Sequence, residues 1–482
     1  MHRRWNIVAA ILVTALLIQI PVVLNADLGW LLTADEKILE GRRLGVDLFE
    51  ANPPLSVYMY MPAVMLARIT GLAPEFIVIV LVIIEMVGAL FIIDRAAAAA
   101  KLGAGERDVS TWSLALLLAI LPGAVFGQRE HIAVIALTPF VAITALRWRG
   151  LDPGRSATFA GLGAGLAMSI KPFFTLVVGL PIILGVVRQR SLKPLFTSEA
   201  CTAAIVVISY GVVAVAVFPD YVFTYAPMVA EVYLPIRREF SSLIPIPIAV
   251  ISASIVFLRL VAPKHFKMWG DATPWLAAAV GGAATFLLQG KGWPYQAFGL
   301  CLFAIAAPLL HFCTKTMRAS VVVAGLAVVV AMGVYLSLPA PGFPPLAQRV
   351  QALVKHPRLL TITDHIALGE PLVRQIDGIW VGSSGGQYLA AGAILLREQS
   401  AQGEREKLDS IINFDRRQLL ADLRNGRPDV ILVDTRLLST FRFDWLAWAN
   451  SEPEVQTELS RYREVENIGR VRIFVDQSVL DR

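Results

Sequence analysis

The chain has 482 residues, of which 56% are hydrophobic and 17% are charged, and its mean hydropathy is +0.63. A soluble globular protein has about 45–50% apolar and roughly 25% charged residues, so this composition excludes an ordinary soluble protein. The formal net charge is +6. Because the positive residues lie in short loops between apolar runs, membrane topology explains them better than nucleic-acid binding does.

Long apolar runs recur along the chain, and those of about 17–20 residues are long enough to cross a hydrocarbon core of ~30 Å. Several of the spans predicted below are shorter, and two of them could form a single span. We predict eleven transmembrane helices, at 6–24, 76–94, 109–126, 131–147, 157–171, 173–187, 199–218, 243–261, 275–289, 296–312 and 319–338. The first is interpreted as a retained signal anchor, because many further spans follow it. The stretch Leu55–Leu72 is apolar but short and rich in Met, Tyr and Pro, so we predict a helix that lies in the membrane interface.

The distribution of charge fixes the predicted orientation. With the N-terminus inside, every inner loop is basic, as the positive-inside rule requires. These loops contain Arg95, Lys101 and Arg107; Arg147, Arg149 and Arg155; Arg188, Arg190 and Lys193; Lys264 and Lys267; and Lys315 and Arg318. Counting Leu55–Leu72 as a span would invert this pattern.

The predicted outer face receives the acidic first loop, 25–75, and the polar C-terminal region. That region contains the strand-like runs Asp429–Asp434 and Val471–Val475 and helical patterns at Gly386–Gln399 and Arg416–Asn425, which indicate a small α/β domain. The predicted fold is therefore a polytopic α-helical membrane domain over 1–338 followed by a C-terminal α/β domain over 339–482, which we place in the periplasm of a bacterium.

The first outer loop contains the sequence T-A-D-E at 33–36. A carboxylate beside a membrane surface can remove the proton from an acceptor hydroxyl, and Asp35 is the first candidate for such a base. The alternative is structural. Thr33 and Glu36 fit a capping box at a helix N-terminus, and Asp35 in the first turn would suit the helix dipole.

Further polar residues interrupt apolar runs on the same predicted face. Large polar residues at a membrane boundary are costly and often functional. They are Gln128, Arg129, Glu130 and His131; Lys171; Arg237; Lys291 between two glycines; and Trp293 and Tyr295. They have structural alternatives. Arg129 and Glu130 can pair with each other at the surface, and Lys171 can extend its ammonium group to the membrane interface. Arg237 can be solvated, and Trp293 and Tyr295 can anchor the chain at the interface.

The glycines at 161, 163 and 165 predict a close helix-packing face. They do not follow a strand, which argues against a dinucleotide site. The cysteines Cys201, Cys301 and Cys313 lie in or beside apolar runs and have neither disulfide-framework nor zinc-ligand spacing.

The first loop continues as G-x-D-x-F-E-x-N-P-P-L-x-x-Y over 45–58. Together with an inside N-terminus, many spans and an outer C-terminal domain, it resembles the GT-C superfamily of membrane glycosyltransferases, in particular bacterial protein O-mannosyltransferase-like and aminoarabinose transferase-like enzymes. The resemblance implies a polyprenyl-phosphate sugar donor. It also implies Asp35 as the catalytic base, with Glu36 as its neighbour and second candidate.

By the same resemblance, basic residues on the outer face hold the donor phosphate; the candidates are Arg129, Lys171, Lys291 and Arg237. Candidate substrate-lining residues are Gln128, His131, Trp293, Tyr295 and Asn52. A second D-E pair in a later outer loop, which some relatives carry, is missing from this sequence. No metal-ligand set is therefore assigned, and a divalent metal is only a candidate cofactor.

These observations predict a glycosyltransferase in the bacterial inner membrane. It moves a sugar from a polyprenyl-phosphate donor to the hydroxyl of an envelope glycan, lipid or protein, with membrane lipids but no nucleic acid as partners. A transporter or flippase for an anionic lipid or solute is the main alternative, since cations such as Lys171 and Arg129 could line a pathway. A non-enzymatic assembly or sensor protein is the second alternative.

Overall fold

The protein is described by a computed structural model that covers residues 2–23, 25–261, 270–312, 319–337 and 344–481. The predicted inner-loop cations Lys264, Lys267, Lys315 and Arg318, the residue Cys313 and the predicted domain boundary at 338–339 lie outside the described residues. The first ten helices are α1 (His2–Gln19), α2 (Ala26–Leu39), α3 (Pro54–Tyr58), α4 (Met61–Thr70), α5 (Pro74–Ala99), α6 (Ala104–Ala119), α7 (Arg129–Trp148), α8 (Ser156–Ile170), α9 (Thr175–Gln189) and α10 (Ser198–Val217).

The remaining helices are α11 (Ala226–Val232), α12 (Phe240–Leu243), α13 (Pro245–Val261), α14 (Thr273–Gln289), α15 (Phe298–Phe312), α16 (Ala319–Ser337), α17 (Pro344–Leu353), α18 (Leu372–Gln375), α19 (Tyr388–Arg397), α20 (Gln402–Gly426), α21 (Trp445–Asn450), α22 (Pro453–Leu459) and α23 (Gln477–Leu480). The strands are β1 (Arg358–Ile362), β2 (Ile379–Trp380), β3 (Val430–Asp434), β4 (Arg436–Leu437), β5 (Phe441–Arg442), β6 (Tyr462–Ile468) and β7 (Val471–Asp476).

The chain forms two compact units. The first, called the helical unit, comprises Met1–Val22, Pro62–Val213 and Arg237–Ala340. The second, called the sheet unit, comprises Val23–Met61, Ala214–Ile236 and Pro341–Arg482. Most of the predicted first outer loop therefore belongs to the same unit as the polar C-terminal region.

The helical unit has the character of a membrane domain. Within the described ranges, five helices are long and apolar enough to cross a bilayer: Pro74–Ala99, Arg129–Trp148, Pro172–Gln189, Ser198–Val217 and Phe240–Arg259. On α10, Ile205, Ile208 and Val212 are each more than 60% exposed, as expected of an apolar helix that faces lipid. Each of the eleven predicted spans overlaps a helix, but the count of eleven stays a prediction.

Small residues bring α8 close to its neighbours. A Cβ atom on Gly163 would lie 2.6 Å from the backbone oxygen of Ala136 on α7, and one on Gly165 would lie 2.5 Å from Cβ of Val206 on α10. A Cβ on Gly161 would collide with the backbone of Glu199. The three glycines are therefore a helix-packing face, as predicted.

The sheet unit contains a five-stranded sheet in the order β2-β1-β3-β7-β6. Strands β2, β1 and β3 are parallel, with Leu359 opposite Val430, while β7 runs antiparallel to β3, with Leu432 opposite Ile473. The central strand β3 is fully buried, which explains its continuous apolar run V-I-L-V. The helical patterns predicted around 386–399 and 416–425 correspond to α19 and to the second half of α20.

Two local predictions were wrong. The capping box at Thr33 is absent, because α2 begins at Ala26 and Asn25 caps it by accepting a hydrogen bond from the Asp27 amide at 3.0 Å. Thr33 and Glu36 therefore lie inside the helix, and Asp35 is not in its first turn. The predicted helix over Leu55–Leu72 is two helices, α3 and α4; Pro62 fits the first turn of α4, where its missing N–H costs no hydrogen bond.

Candidate active site

Asp35 is the most unusual carboxylate of the sheet unit. Its side chain is fully buried on α2, and neither of its oxygens has a hydrogen-bond partner among the described residues. Burial, with a smaller contribution from the adjacent Glu36 carboxylate, raises the pKa of Asp35 from 3.8 to about 8. A carboxyl group in this state is mainly protonated at neutral pH, and a group with a pKa near the working pH can act as an acid or a base.

Glu36 is held by an arginine from a distant part of the sequence. Arg374 on α18 donates to both Glu36 carboxylate oxygens, at 2.9 and 3.0 Å, which is the bidentate geometry for which a guanidinium is suited. Arg374 also donates to the Thr33 hydroxyl at 3.1 Å, and that hydroxyl donates to the buried Glu370 carboxylate at 2.7 Å. These contacts fix the face of α2 beside Asp35.

The loop after α2 is fixed by Glu50. The Glu50 carboxylate accepts hydrogen bonds from the Trp30 indole at 2.6 Å and from the Asn52 backbone amide at 2.9 Å, and it also accepts one from the Asn52 side-chain amide. The Tyr221 hydroxyl donates to the Asn52 carbonyl oxygen at 2.8 Å. The contacts seen for Asn52 are thus with Glu50 of the same loop and with Tyr221, and its role as a substrate-lining residue stays a prediction.

Tyr58 was not predicted as a site residue. Burial and the Asp35 carboxyl both raise the pKa of the Tyr58 phenol, so the phenol lies within electrostatic range of the candidate base. Its ring packs against Phe218 with the centroids 5.2 Å apart. The tyrosine at the end of the N-P-P-L-x-x-Y motif was the available signal, but the motif alone does not say which way the ring points.

A buried ion pair lies in the helical unit, where α7 begins and α8 ends. Lys171 pairs with the Glu130 carboxylate and donates to the Gln289 side-chain oxygen at 2.9 Å. Lys171 and Glu130 are both more than 90% buried. Glu130 thus supplies the anion that a buried Lys171 requires. The sequence suggested Arg129 as the partner of Glu130, and the structure adds Lys171.

The residues around this pair contain polar atoms with unused hydrogen-bonding capacity. Within the described part of the chain, both amide atoms of Gln128, the second oxygen of Glu130 and the side-chain oxygen of Gln296 are buried without a partner. Arg129, the first residue of α7, is also buried. Buried polar groups are normally satisfied in native proteins, so this cluster is a candidate ligand-binding region.

His131 is used by the fold itself. Its Nδ1 accepts a hydrogen bond from the Gly127 amide at 3.0 Å, so its Nε2 carries the proton and donates to the Leu118 carbonyl at 2.8 Å. The ring is fully buried between Phe126 and Phe298. His131 therefore orders the turn before α7, and a substrate contact from this ring stays a prediction.

A second group of cations lies after α14. Gly290 and Gly292, on either side of Lys291, have φ angles of +68° and +69°, and a Cβ on Gly290 would lie 2.7 Å from Cγ of Arg237. The Arg238 amide donates to the Gly290 carbonyl at 2.8 Å. Burial, with a smaller contribution from the nearby Arg237 cation, lowers the pKa of Lys291 from 10.5 to about 8. A bound anion would favour the charged form of this lysine.

The predicted aromatic pair lies beside both groups of cations. Trp293 and Tyr295 have ring centroids 5.6 Å apart, and the Lys171 ammonium lies 5.7 Å from the centroid of Tyr295. Tyr295 is buried and Trp293 is 37% exposed. The structure thus brings five predicted residues of the helical unit together, namely Lys171, Lys291, Trp293, Tyr295 and Arg237. Asp35, Glu36 and Asn52 lie in the sheet unit.

The described residues contain no group of three or more His, Cys, Asp or Glu side chains arranged to hold a metal ion. The divalent metal considered from the sequence therefore stays a prediction.

The fold was compared with those of known proteins. The chain is similar to ArnT from Cupriavidus metallidurans bound to undecaprenyl phosphate, with a TM-score of 0.56, 12% identity and 98% of each chain covered. Weaker likenesses include the arabinofuranosyltransferase AftD from Mycobacteria, with a TM-score of 0.43, 13% identity and 99% of this chain but 40% of that chain covered. They also include the oligosaccharyltransferase of Archaeoglobus fulgidus, with a TM-score of 0.42, 11% identity and coverages of 94% and 71%.

No protein-family model and no curated protein matches the sequence. The likeness to ArnT shows that the two chains share a fold, which agrees with the resemblance noted in the sequence. With its apolar helices, the chain is a membrane protein.

Proposed function

We propose that this protein is an integral-membrane glycosyltransferase that moves a sugar from a polyprenyl-phosphate donor to an acceptor hydroxyl. The observation that carries the proposal is the Asp35 carboxyl group, which is fully buried and unpartnered within the described residues of a chain with the ArnT fold. ArnT itself was solved with undecaprenyl phosphate, which supports a donor of this class here.

In the proposed reaction, an acceptor oxygen attacks the anomeric carbon and transfers its proton to the Asp35 carboxylate. The new C–O bond forms as the bond between the anomeric carbon and the phosphate oxygen breaks, and polyprenyl phosphate leaves. A single displacement of this kind inverts the anomeric centre. Only the ionised form of Asp35 can accept the proton, so the reaction draws on the minor species at pH 7.

The leaving phosphate needs positive charge to stabilise it as the bond breaks. We assign this role first to Lys291 and Arg237, because they lie close together: burial and, to a smaller extent, the Arg237 cation lower the Lys291 pKa, and a bound anion would offset both effects. Arg129 is a further phosphate ligand in the proposal. Lys171 is retained as a candidate, but its charge is shared with Glu130, so its direct contribution should be smaller.

The substrate-lining role of Gln128 is supported by its two buried, unpartnered amide atoms among the described residues. Trp293 and Tyr295 offer stacked aromatic faces to the sugar or to the lipid chain. A divalent cation would add to the charge on the leaving phosphate, and removing metal with a chelator tests whether transfer depends on one. The proposed location is the bacterial inner membrane, with the active face outward.

The test is mass spectrometry of envelope glycans and glycolipids from three strains: intact, gene-deleted, and deleted but complemented with Asp35→Asn at matched membrane levels. Loss of one sugar residue in both altered strains would support the proposal and identify the transferred sugar. Full restoration by Asp35→Asn would remove Asp35 from the mechanism. The transporter alternative predicts instead that sugar-free lipid accumulates on one leaflet, and the fold likeness does not favour it.

A further inference from the structure

A cavity of about 380 Å³ lies in the helical unit where α7 and α9 end and α10 begins. Its apolar wall is formed by Phe140, Leu151, Pro181, Ile182 and Pro194, and polar residues, including Gln189 and Lys193, line the rest of it. This size and mixed lining are typical of a pocket for a small molecule or a lipid.

The cavity is separate from the candidate phosphate site. Arg129 begins α7 and Trp148 ends it, and twenty residues at a rise of 1.5 Å place these ends about 28 Å apart. Trp148 lines the cavity, whereas Arg129 belongs to the cluster around Lys171. A ligand in this cavity is thus not the donor phosphate of the proposed reaction.

Charge around the cavity favours an anion. Arg147 and Glu199 neutralise each other through paired hydrogen bonds of 2.5 and 2.8 Å. The Arg188 guanidinium lies 4.6 Å from the Trp148 ring centroid and donates to the Trp148 carbonyl at 2.9 Å. Asp152 also lines the cavity and offsets one positive charge. Lys193, which has no ion-pair partner among the described residues, and the adjacent Arg188 together still leave one positive charge in excess.

The surroundings favour a lipid over a soluble anion. Lys193 begins the short 3-10 helix Lys193–Phe196, whose neighbour Leu192 is 62% exposed and whose Phe196 is 72% exposed. Exposed apolar side chains beside basic residues are typical of a segment that rests at a membrane surface. Basic pockets between membrane helices bind anionic lipid headgroups on the cytoplasmic side, where the positive-inside rule places these loops.

We propose that this cavity binds an anionic phospholipid, with its headgroup phosphate at Lys193 and Arg188 and an acyl chain along the wall formed by Phe140, Pro181 and Ile182. The proposal does not depend on the glycosyltransferase function.

Gly185 provides a steric test with a matched control. It lines the cavity from α9, and a Cβ there would lie 3.4 Å from Pro194 and 3.8 Å from the Trp148 indole nitrogen, which is ordinary contact. Gly185→Ala should therefore preserve the cavity, whereas Gly185→Leu should fill it. For the charge, Lys193→Ala is compared with Arg190→Ala, which removes an exposed cation of the same loop that does not line the cavity.

The full-length protein, delipidated in detergent, is titrated with phosphatidylglycerol or phosphatidylcholine of the same chains, and bound lipid is counted by native mass spectrometry. We expect one phosphatidylglycerol to bind, with affinity reduced about tenfold or more in Gly185→Leu and about fivefold in Lys193→Ala. Gly185→Ala and Arg190→Ala should bind like the wild type.

Equal binding of the two lipids, or unchanged binding in both Gly185→Leu and Lys193→Ala, would overturn the proposal. Competition by millimolar inorganic phosphate as strong as that of the lipid would also overturn it, because the site would then recognise a free phosphate. If Gly185→Leu does not fold, as judged by its thermal unfolding, the pair Lys193→Ala and Arg190→Ala decides the question.

Discussion

Replacing Asp35 with Asn should abolish sugar transfer and, at the same time, stabilise the protein. Asn has nearly the shape of a protonated Asp but cannot accept the proton of the acceptor hydroxyl. Loss of a general base typically lowers a rate by about 10²–10⁴-fold. The gain in stability follows from the environment of the carboxyl, which is fully buried without a hydrogen-bond partner among the described residues.

The size of the stabilisation depends on pH. The folded-state pKa of Asp35 is raised from 3.8 to about 8, so unfolding between these values releases a proton. Stability of the wild type therefore falls as pH rises, by at most ~1.4 kcal/mol per pH unit between about pH 4 and pH 8. Asn does not ionise, so its contribution to stability does not change with pH. The advantage of Asp35→Asn should thus be small near pH 5 and grow to a few kcal/mol, on the order of 4, at pH 8.

The assay is thermal unfolding of the purified protein in detergent at pH 5, 6, 7 and 8, with sugar transfer measured on the same samples. Asp47→Asn serves as the matched control, since it makes the same chemical change at a partly exposed position of the same loop. The control should alter neither the rate nor the pH dependence of stability. An active Asp35→Asn protein would refute the role of Asp35 as the base. A variant that is equally destabilised at every pH would refute the protonated buried state of Asp35.

Three further changes test the surroundings of the site. Glu36→Gln removes a charge that raises the Asp35 pKa, so the rise of the transfer rate should move to lower pH. Arg374→Ala removes a cation that holds both Glu36 oxygens and should move the rise to higher pH, and no movement in either variant would argue against this coupling. Lys291→Met should raise the donor KM about tenfold or more, with Lys101→Met as control, if its charge binds phosphate; an unchanged KM would contradict this. Lys171→Met alone should cost about 3–5 kcal/mol of stability, because buried Glu130 loses the cation that forms its ion pair. Glu130→Gln in the same protein should recover part of this loss, whereas additive losses would argue against the pair.

The positions of the apolar helices could be predicted from the sequence because each helix corresponds to a local run of apolar residues. Apolar runs and basic loops mark the helices, and the buried strand Val430–Asp434 is visible as a short β-branched and aliphatic run. The error at Thr33 has a physical cause. Asn25 caps α2 two turns earlier than the T-A-D-E signal suggested, and the apolar residues after it, which resemble the end of a span, are the buried face of the same helix.

The site could be predicted only in part because its partners are distant in sequence. The bond between Thr33 and Glu370 joins residues 337 positions apart, and the pair of Lys171 with Glu130 joins residues 41 apart. Residue type marked Asp35 and Lys171 as unusual, but neither composition nor spacing reveals that Lys171 has a buried partner and that the Asp35 oxygens have none among the described residues. The structure was needed to identify the acidic partner of Lys171 and the contact of Arg374 with Glu36.

The two unusual pKa values together predict the pH dependence of the reaction. Transfer by the proposed mechanism requires ionised Asp35 and protonated Lys291, whose pKa values are both about 8. The productive species therefore increases with pH below 8, as Asp35 ionises, and decreases above 8, as Lys291 loses its charge. With equal values the productive fraction peaks near pH 8 at about one quarter of the enzyme, and kcat/KM falls about tenfold per pH unit well away from the peak on either side. Measurement of kcat/KM for transfer from pH 5.5 to 10 should give a bell-shaped profile. The Lys291→Met variant should keep the acidic limb of this profile and lose the alkaline limb. An alkaline limb that persists in Lys291→Met would show that another group titrates there, and a flat profile from pH 6 to 8 would contradict the assignment of Asp35 as the base.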